Sequence, residues 1–169
     1  FFSPRTNIFN VGYARKFSSS IYGGINFKVI SENISNLKAN GIAIDAGIRY
    51  VTGENDQLKF GIALKNVGPV MRYKGDGLSQ QVEYTSTGFI ASLEERSATF
   101  EMPSLLCIGG SYDFIFNESN KLNLALGFTA NSFSNDQYRL GLDYGMTNDK
   151  MAFNLRAGYV YEKNLLNVE

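Results

Sequence analysis

The sequence predicts an all-β chain, an antiparallel transmembrane β-barrel of about eight strands. Three observations carry that expectation. Large apolar residues alternate with small residues and charges, the alternating runs have lengths that suit a bilayer, and the connections between them alternate between short and long.

The runs follow in chain order. Asn7 to Phe17 and Ile21 to Ile30 come first and fit least cleanly; in the second, Ile21, Ile25, Phe27 and Val29 oppose Tyr22, Gly24, Asn26 and Lys28. Gly41 to Val51 is the clearest, with Ile42, Ile44, Ala46, Ile48 and Tyr50 on one face and Ala43, Asp45, Gly47, Arg49 and Val51 on the other. Leu58, Phe60, Ile62 and Leu64 then oppose Lys59, Gly61, Ala63 and Lys65. Between Leu105 and Phe116, Leu106, Ile108, Tyr112, Phe114 and Phe116 oppose Cys107, Gly109, Ser111 and Asp113. Leu122 to Ala130, Tyr138 to Met146 and Met151 to Tyr161 repeat the pattern, with Arg139, Asp143 and Arg156 on the small, polar face. A solvated strand face usually carries bulky, flexible polar residues. Small residues punctuated by charges suit a crowded polar interior, which leaves the apolar face to meet lipid.

Run length and composition agree. A tilted strand needs roughly 9–11 residues to cross the hydrocarbon layer, whereas soluble strands average nearer five or six. Several of the 17 glycines fall inside runs, where a barrel wall uses them for curvature and close packing. Phe17, Tyr50, Phe116, Phe133, Tyr138, Tyr159 and Tyr161 lie near run ends, where interfacial aromatic girdles sit.

Ser18 to Ser20, Thr52 to Gln57, Asn117 to Lys121 and Thr147 to Lys150 read as tight hairpin turns. Ser31 to Asn40 and Val67 to Ser104 read as long loops, and Ala130 to Gln137 is intermediate. Barrels place short turns in the periplasm and long loops outside, which puts the long segments on the cell surface. Within the longest, Glu83 to Glu101 suits a strand extension, an inward plug or a docking surface. Residues 1–169 are thus expected to be a single, partial barrel domain with an extracellular loop at 67–104. The opening Phe1-Phe2-Ser3-Pro4 and the loop-like Asn164 to Glu169 suggest a piece of a larger barrel.

Composition excludes several chemistries. A net charge of zero removes the electrostatic case for nucleic acid. The chain has no His, so Ser-His-Asp hydrolysis and ordinary His-bearing zinc sites are not available within it. The lone Cys107 makes no intramolecular disulfide and reads as a small lumen filler. Ser35-Asn36-Leu37-Lys38 matches S-x-x-K without its companion motifs, and Glu94-Glu95 reads as a solvated loop pair. Asn135-Asp136 and Asn148-Asp149 are turn chemistry, lacking the spaced ligands of a calcium loop. No catalytic, metal or cofactor site is expected. The inward charges Lys28, Asp45, Arg49, Lys59, Lys65, Asp113, Arg139, Asp143 and Arg156 read as an ion-pair network filling the lumen, or as an anion-favouring passage. Asp45 with Arg49, and Arg139 with Asp143, are the pairs that the spacing offers.

The segment Gly61 to Met71, followed by Tyr73 to Leu78, resembles the strand-to-loop signature of the PorV/PorQ family of outer-membrane barrels, related in fold to the FadL fatty-acid channels. Asn10 to Phe17 and Phe100 to Asp113 resemble two further family strands. The resemblance implies a FadL-like barrel of about fourteen strands, of which this chain would be the middle. It also implies a component of the type IX secretion system in a Gram-negative outer membrane. Such a protein takes the C-terminal signal domains of secreted cargo from the translocon to the attachment complex. Partner contacts are then expected on external loops, at Arg72, Tyr73, Lys74, Glu94, Glu95 and Arg96. The competing expectations are a FadL-like transporter of hydrophobic small molecules and a soluble adhesin sandwich.

Overall fold

The computed structural model describes residues 3–84, 89–148 and 151–163, with side chains except at 80–84, 89–91, 93, 94 and 163. The strands are β1 (Arg5–Lys16), β2 (Ile21–Ile34), β3 (Leu37–Thr52), β4 (Leu58–Val67), β5 (Met71–Arg72), β6 (Ser79–Tyr84), β7 (Phe89–Glu94), β8 (Thr99–Phe100), β9 (Leu105–Asn117), β10 (Asn120–Asn131), β11 (Asp136–Asn148) and β12 (Met151–Lys163). A short 3-10 turn, Asp76–Leu78, lies between β5 and β6. The long strands form one eight-stranded antiparallel sheet in the order β1-β2-β3-β4-β9-β10-β11-β12. β5 pairs with β8 and β6 with β7, both inside the segment that separates β4 from β9.

Local chemistry makes the hairpins. Ser18 Oγ accepts the backbone N–H groups of Ser20 and Ile21, and Asn117 Oδ1 accepts that of Ser119, so each side chain replaces a backbone partner within its turn. Gly53 and Asp56 take left-handed φ values of 103° and 55° in the β3–β4 turn. The β2–β3 connection departs from expectation. Ser31 to Asn40 is not a long loop, because β2 continues to Ile34 and β3 starts at Leu37, with Ser35 at φ 52° in a two-residue turn. The S-x-x-K spacing of Ser35 and Lys38 therefore spans a turn and a strand, not a helix.

The expected face alternation is present. Along β3, Ala39, Ala43 and Val51 are buried and Asp45 and Gly47 half-buried, while Ile42, Ile44, Ile48 and Tyr50 are exposed. β4 alternates in the same sense, with Lys59, Gly61 and Ala63 half-buried and Leu58, Phe60, Ile62 and Leu64 exposed. Among the described residues the buried apolar side chains are only Ile30, Ala39, Ala43, Val51 and Met71. No helix among them is long and apolar enough to cross a membrane, a fact that does not address crossing by strands.

The chain packs into two compact units. One comprises Phe1–Val11, Asn26–Ile44 and Val67–Met102, and its centre is Met71, packed with Ile30, Ala39 and Ala43 and flanked by Tyr73, Phe100 and Met102. Gly41 makes the seat: a Cβ there would come within 2.7 Å of Met71 Cγ and Sδ. The other comprises Gly12–Ile25, Asp45–Asn66 and Pro103–Glu169. In it, registers such as Gly61↔Gly109, Gly109↔Gly127 and Ala63↔Cys107 align small residues across neighbouring strands.

The Met71 seat yields a prediction. Gly41→Val takes the space of Met71 and detaches the 67–104 segment, and Met71→Ala loosens it through a cavity costing about 2–5 kcal/mol. In limited proteolysis, cleavage within 67–104 rises in both variants while cleavage in β9 to β12 stays unchanged.

Candidate functional site

The polar face of the second unit is built by register. Asn123 lies directly opposite Asp113, and its Nδ2 donates to Asp113 Oδ1. Lys59 is opposite Ser111, one step along the same face, and its Nζ reaches Asp113 Oδ2 at 2.5 Å. Asp143 is opposite Arg156, whose Nε donates to Asp143 Oδ2 at 3.0 Å. The pairs that the spacing offered are replaced. Arg139 Nη2 donates to Gln137 Oε1 at 2.6 Å instead of reaching Asp143, and Asp45 Oδ1 accepts the Asn66 backbone N–H at 2.8 Å instead of Arg49. Geometry explains this. Residues four apart on a strand are separated by about 13 Å, whereas directly opposed cross-strand residues have Cβ atoms about 5 Å apart.

Of these residues, Lys59 and Arg139 border a trough of about 900 Å³. Lys16, Arg49, Lys59, Lys65 and Arg139 line it, and no acidic residue does among those described. Lys16 Nζ sits 5.3 Å from the centroid of the Tyr22 ring. Lys28 is half-buried on the corresponding face of β2 and is engaged by a neighbour. Cys107 is half-buried opposite Ala63 on one side and the buried Thr129 on the other.

The first unit carries a separate cleft, of about 570 Å³, lined by Arg72, Tyr73, Lys74, Leu78, Glu95, Arg96 and Ser97. Met71 is buried, so the chain is pinned just before Arg72; Arg72 pairs with Thr99, and Met71 with Phe100. The Tyr73 ring stacks on Phe100 at 5.1 Å, and its hydroxyl donates to Glu32 Oε2 at 2.7 Å. Lys74 and Lys38 exchange both backbone hydrogen bonds, at 2.8 and 3.0 Å. Gly75 follows at φ 141°, and a Cβ there would overlap the Asn36 carbonyl oxygen. On the opposite wall the Glu95 N–H donates to the Leu78 carbonyl at 2.9 Å.

Five of the sequence-expected contact residues, Arg72, Tyr73, Lys74, Glu95 and Arg96, therefore share one cleft. Glu94 ends β7 opposite Ser79, and its side chain lies outside the described residues. Sequence reasoning missed Glu32 as the partner of Tyr73, because Ser31 to Asn40 read as a loop. Its signal was the alternation of Ile30 and Glu32 with Val29 and Ser31, which continues β2. The hydrogen bond to Glu32, then burial, then the nearby Glu32 charge hold the Tyr73 hydroxyl above its ordinary range.

No protein-family model matches the chain, and no curated protein matches it. Among the described residues there is no group of three or more His, Cys, Asp or Glu placed to hold a metal ion.

Two predictions follow from these contacts. Lys59→Met leaves Asp113 with Asn123 alone and costs about 1–3 kcal/mol, and adding Asp113→Leu restores most of it; urea midpoints of the detergent-folded protein measure both. Tyr73 must keep its proton to donate to Glu32. Its raised value means that this latch is intact below the ordinary tyrosine range, about 10, and is lost as pH rises through the folded-state value. Proteolytic protection of 67–104 is therefore flat from about pH 6 to 9 as far as this group is concerned, and falls in stronger alkali. Tyr73→Phe keeps the stacking, loses that alkaline step and costs about 1 kcal/mol.

Proposed function

We propose that this chain forms part of the wall and surface loops of an outer-membrane β-barrel serving type IX protein secretion in a Gram-negative bacterium, as PorV-like proteins do. In this reading the protein binds the C-terminal signal domain of secreted cargo, or the translocon, and passes cargo to the surface attachment complex. It acts by binding and carries no catalytic group.

The exposed apolar face is the observation that supports the reading most. Ile62, Leu64, Leu140 and Leu142 are 40–44% exposed, and Phe153 and Leu155 are 60% and 63% exposed. Water-soluble monomers rarely expose contiguous apolar patches beyond a few hundred Å². Lipid covers such a face without a second protein layer, while the more shielded face keeps the charges. β1 and β12 end the described sheet with one neighbour each. Unpaired backbone groups cost several kcal/mol each in lipid, so the reading takes the eight strands as an arc of a larger closed wall, about fourteen strands on the FadL plan. The cleft at Arg72, Lys74 and Arg96 and the resemblance of Gly61 to Leu78 to PorV/PorQ proteins direct the reading toward secretion rather than transport.

The test is the extracellular proteome of a strain lacking the full-length gene, with assembly of other outer-membrane proteins as the control. Proteins bearing type IX C-terminal signals are expected to accumulate inside the cell. Unchanged secretion with reduced uptake of a hydrophobic nutrient makes the barrel a transporter instead. At the level of the wall, Leu142→Arg is expected to destabilise the full-length protein in bilayers by about 2–4 kcal/mol if it sits near the midplane. Ser111→Lys, on the opposite face, costs less, and denaturant titration of the protein in vesicles compares the two.

A further inference from the structure

We propose that the cleft of Arg72, Lys74 and Arg96 binds the carboxylates of an acidic, extended peptide segment on a partner protein. The inference rests on the surface-contact reading above and supplies the chemistry of the contact.

The base of the cleft is held in place before any ligand arrives. Met71 is 1% exposed, Tyr73 is stacked on Phe100 and bonded to Glu32, and Lys74 is laddered to Lys38, so the backbone carrying Arg72 and Lys74 is fixed on both sides. The charges it presents are unspent. Among the described residues the side chains of Arg72, Lys74 and Arg96 make no hydrogen bond or ion pair, and Glu95, in the same cleft, neutralises none of them. A pre-positioned backbone lowers the ordering cost of binding, and guanidinium groups match carboxylates in two parallel hydrogen bonds.

The surroundings favour a peptide over a dense polyanion. Glu95 repels a polyphosphate, yet a peptide can place an N–H against it. Leu78 and the Tyr73 ring supply apolar surface for the side chains between carboxylates, as the mixed walls of peptide-binding clefts do. The cleft, about 570 Å³, has room for a few side chains rather than a folded domain.

Fluorescence anisotropy on the full-length protein in detergent micelles tests this, with a fluorescein-labelled peptide of alternating Glu and Leu and its Gln counterpart as probes. The acidic peptide is expected to bind in a salt-sensitive manner and the Gln peptide at least about tenfold more weakly. The triple variant Arg72→Ala/Lys74→Ala/Arg96→Ala weakens the acidic peptide at least about tenfold, and Glu95→Gln tightens it severalfold. Equal binding of the two peptides, indifference to the triple variant, or stronger retention of inorganic polyphosphate or phosphatidylglycerol vesicles through the same three residues overturns the proposal. If the triple variant fails to assemble, Glu95→Gln decides alone, since Glu95 is tied into the fold through its backbone N–H; no tightening overturns the proposal. Peptide binding together with normal secretion in the deletion strain keeps the cleft and removes the type IX reading. A secretion defect without peptide binding does the reverse.

Discussion

The structure depends on one inversion of polarity, clearest in β3 and β4 of the eight-stranded sheet: the large apolar side chains lie on the exposed face, and small residues with Asp45 and Lys59 on the more shielded one. A soluble sheet gains most of its stability by covering an apolar face with another layer. Here the buried apolar side chains reduce to Ile30, Ala39, Ala43, Val51 and Met71 among the described residues, too little to act as the core of a chain of this length. Cohesion falls instead on the strand ladders and on cross-strand polar contacts such as Lys59 and Asn123 with Asp113. Contacts of that kind are worth little in water and more where the dielectric is low. The same inversion fixes register. A slip by one residue would turn Asp113 and Asp143 outward and Phe114 and Leu142 inward at once.

The long insertion is tolerated because the strands at its two ends pair with each other. β4 and β9 pair from Leu58↔Tyr112 to Lys65↔Leu105, so the ladder runs on as though 68–104 were absent. The neck is clamped by Asn66, which takes a left-handed φ of 59°, gives its N–H to Asp45 Oδ1 and donates through Nδ2 to the Pro103 carbonyl at 2.9 Å. Asp45, assigned from sequence to a lumen network, has a turn-capping role here. Within the other unit, the extended β2–β3 hairpin supplies Lys38 as a ladder partner, Glu32 as an acceptor and Gly41 as a seat, each used by a residue between Met71 and Lys74.

The sheet strands were legible because period-two alternation is local: the runs from Ile21 to Tyr161 each lie within one of the long strands, and the first, Asn7 to Phe17, overruns β1 by one residue. What was not legible was contact. Asp45 with Arg49 looked plausible along the chain, yet a strand is too extended for that spacing, and the partners came from neighbouring strands whose register the sequence did not state. The Ser31 to Asn40 misreading has a different cause. Ser31, Glu32, Asn33, Ser35 and Asn36 are turn-rich and polar, yet only Ser35 and Asn36 form the turn; Ser31, Glu32 and Asn33 carry strand structure here beside the inserted segment that pairs with Lys38 and engages Glu32. The Arg72 to Arg96 grouping was anticipated as a set of loop charges. That β5, β8 and the 3-10 turn would bring them into one cleft was not.

A net charge of zero sits easily with a basic cleft once the distribution is considered. The chain has 16 basic and 16 acidic residues, but they are unevenly placed. Glu54, Asp56, Glu118 and Asp136 are in or beside hairpin turns, while Lys16, Arg49, Lys59, Lys65 and Arg139 line the trough and Arg72, Lys74 and Arg96 the cleft. Charges separated by more than a Debye length, about 8 Å at physiological salt, scarcely see one another through water. A ligand at the cleft therefore meets the local excess and not the sum. Overall neutrality removes the long-range field that nucleic-acid binding relies on, and leaves short-range recognition of carboxylates intact.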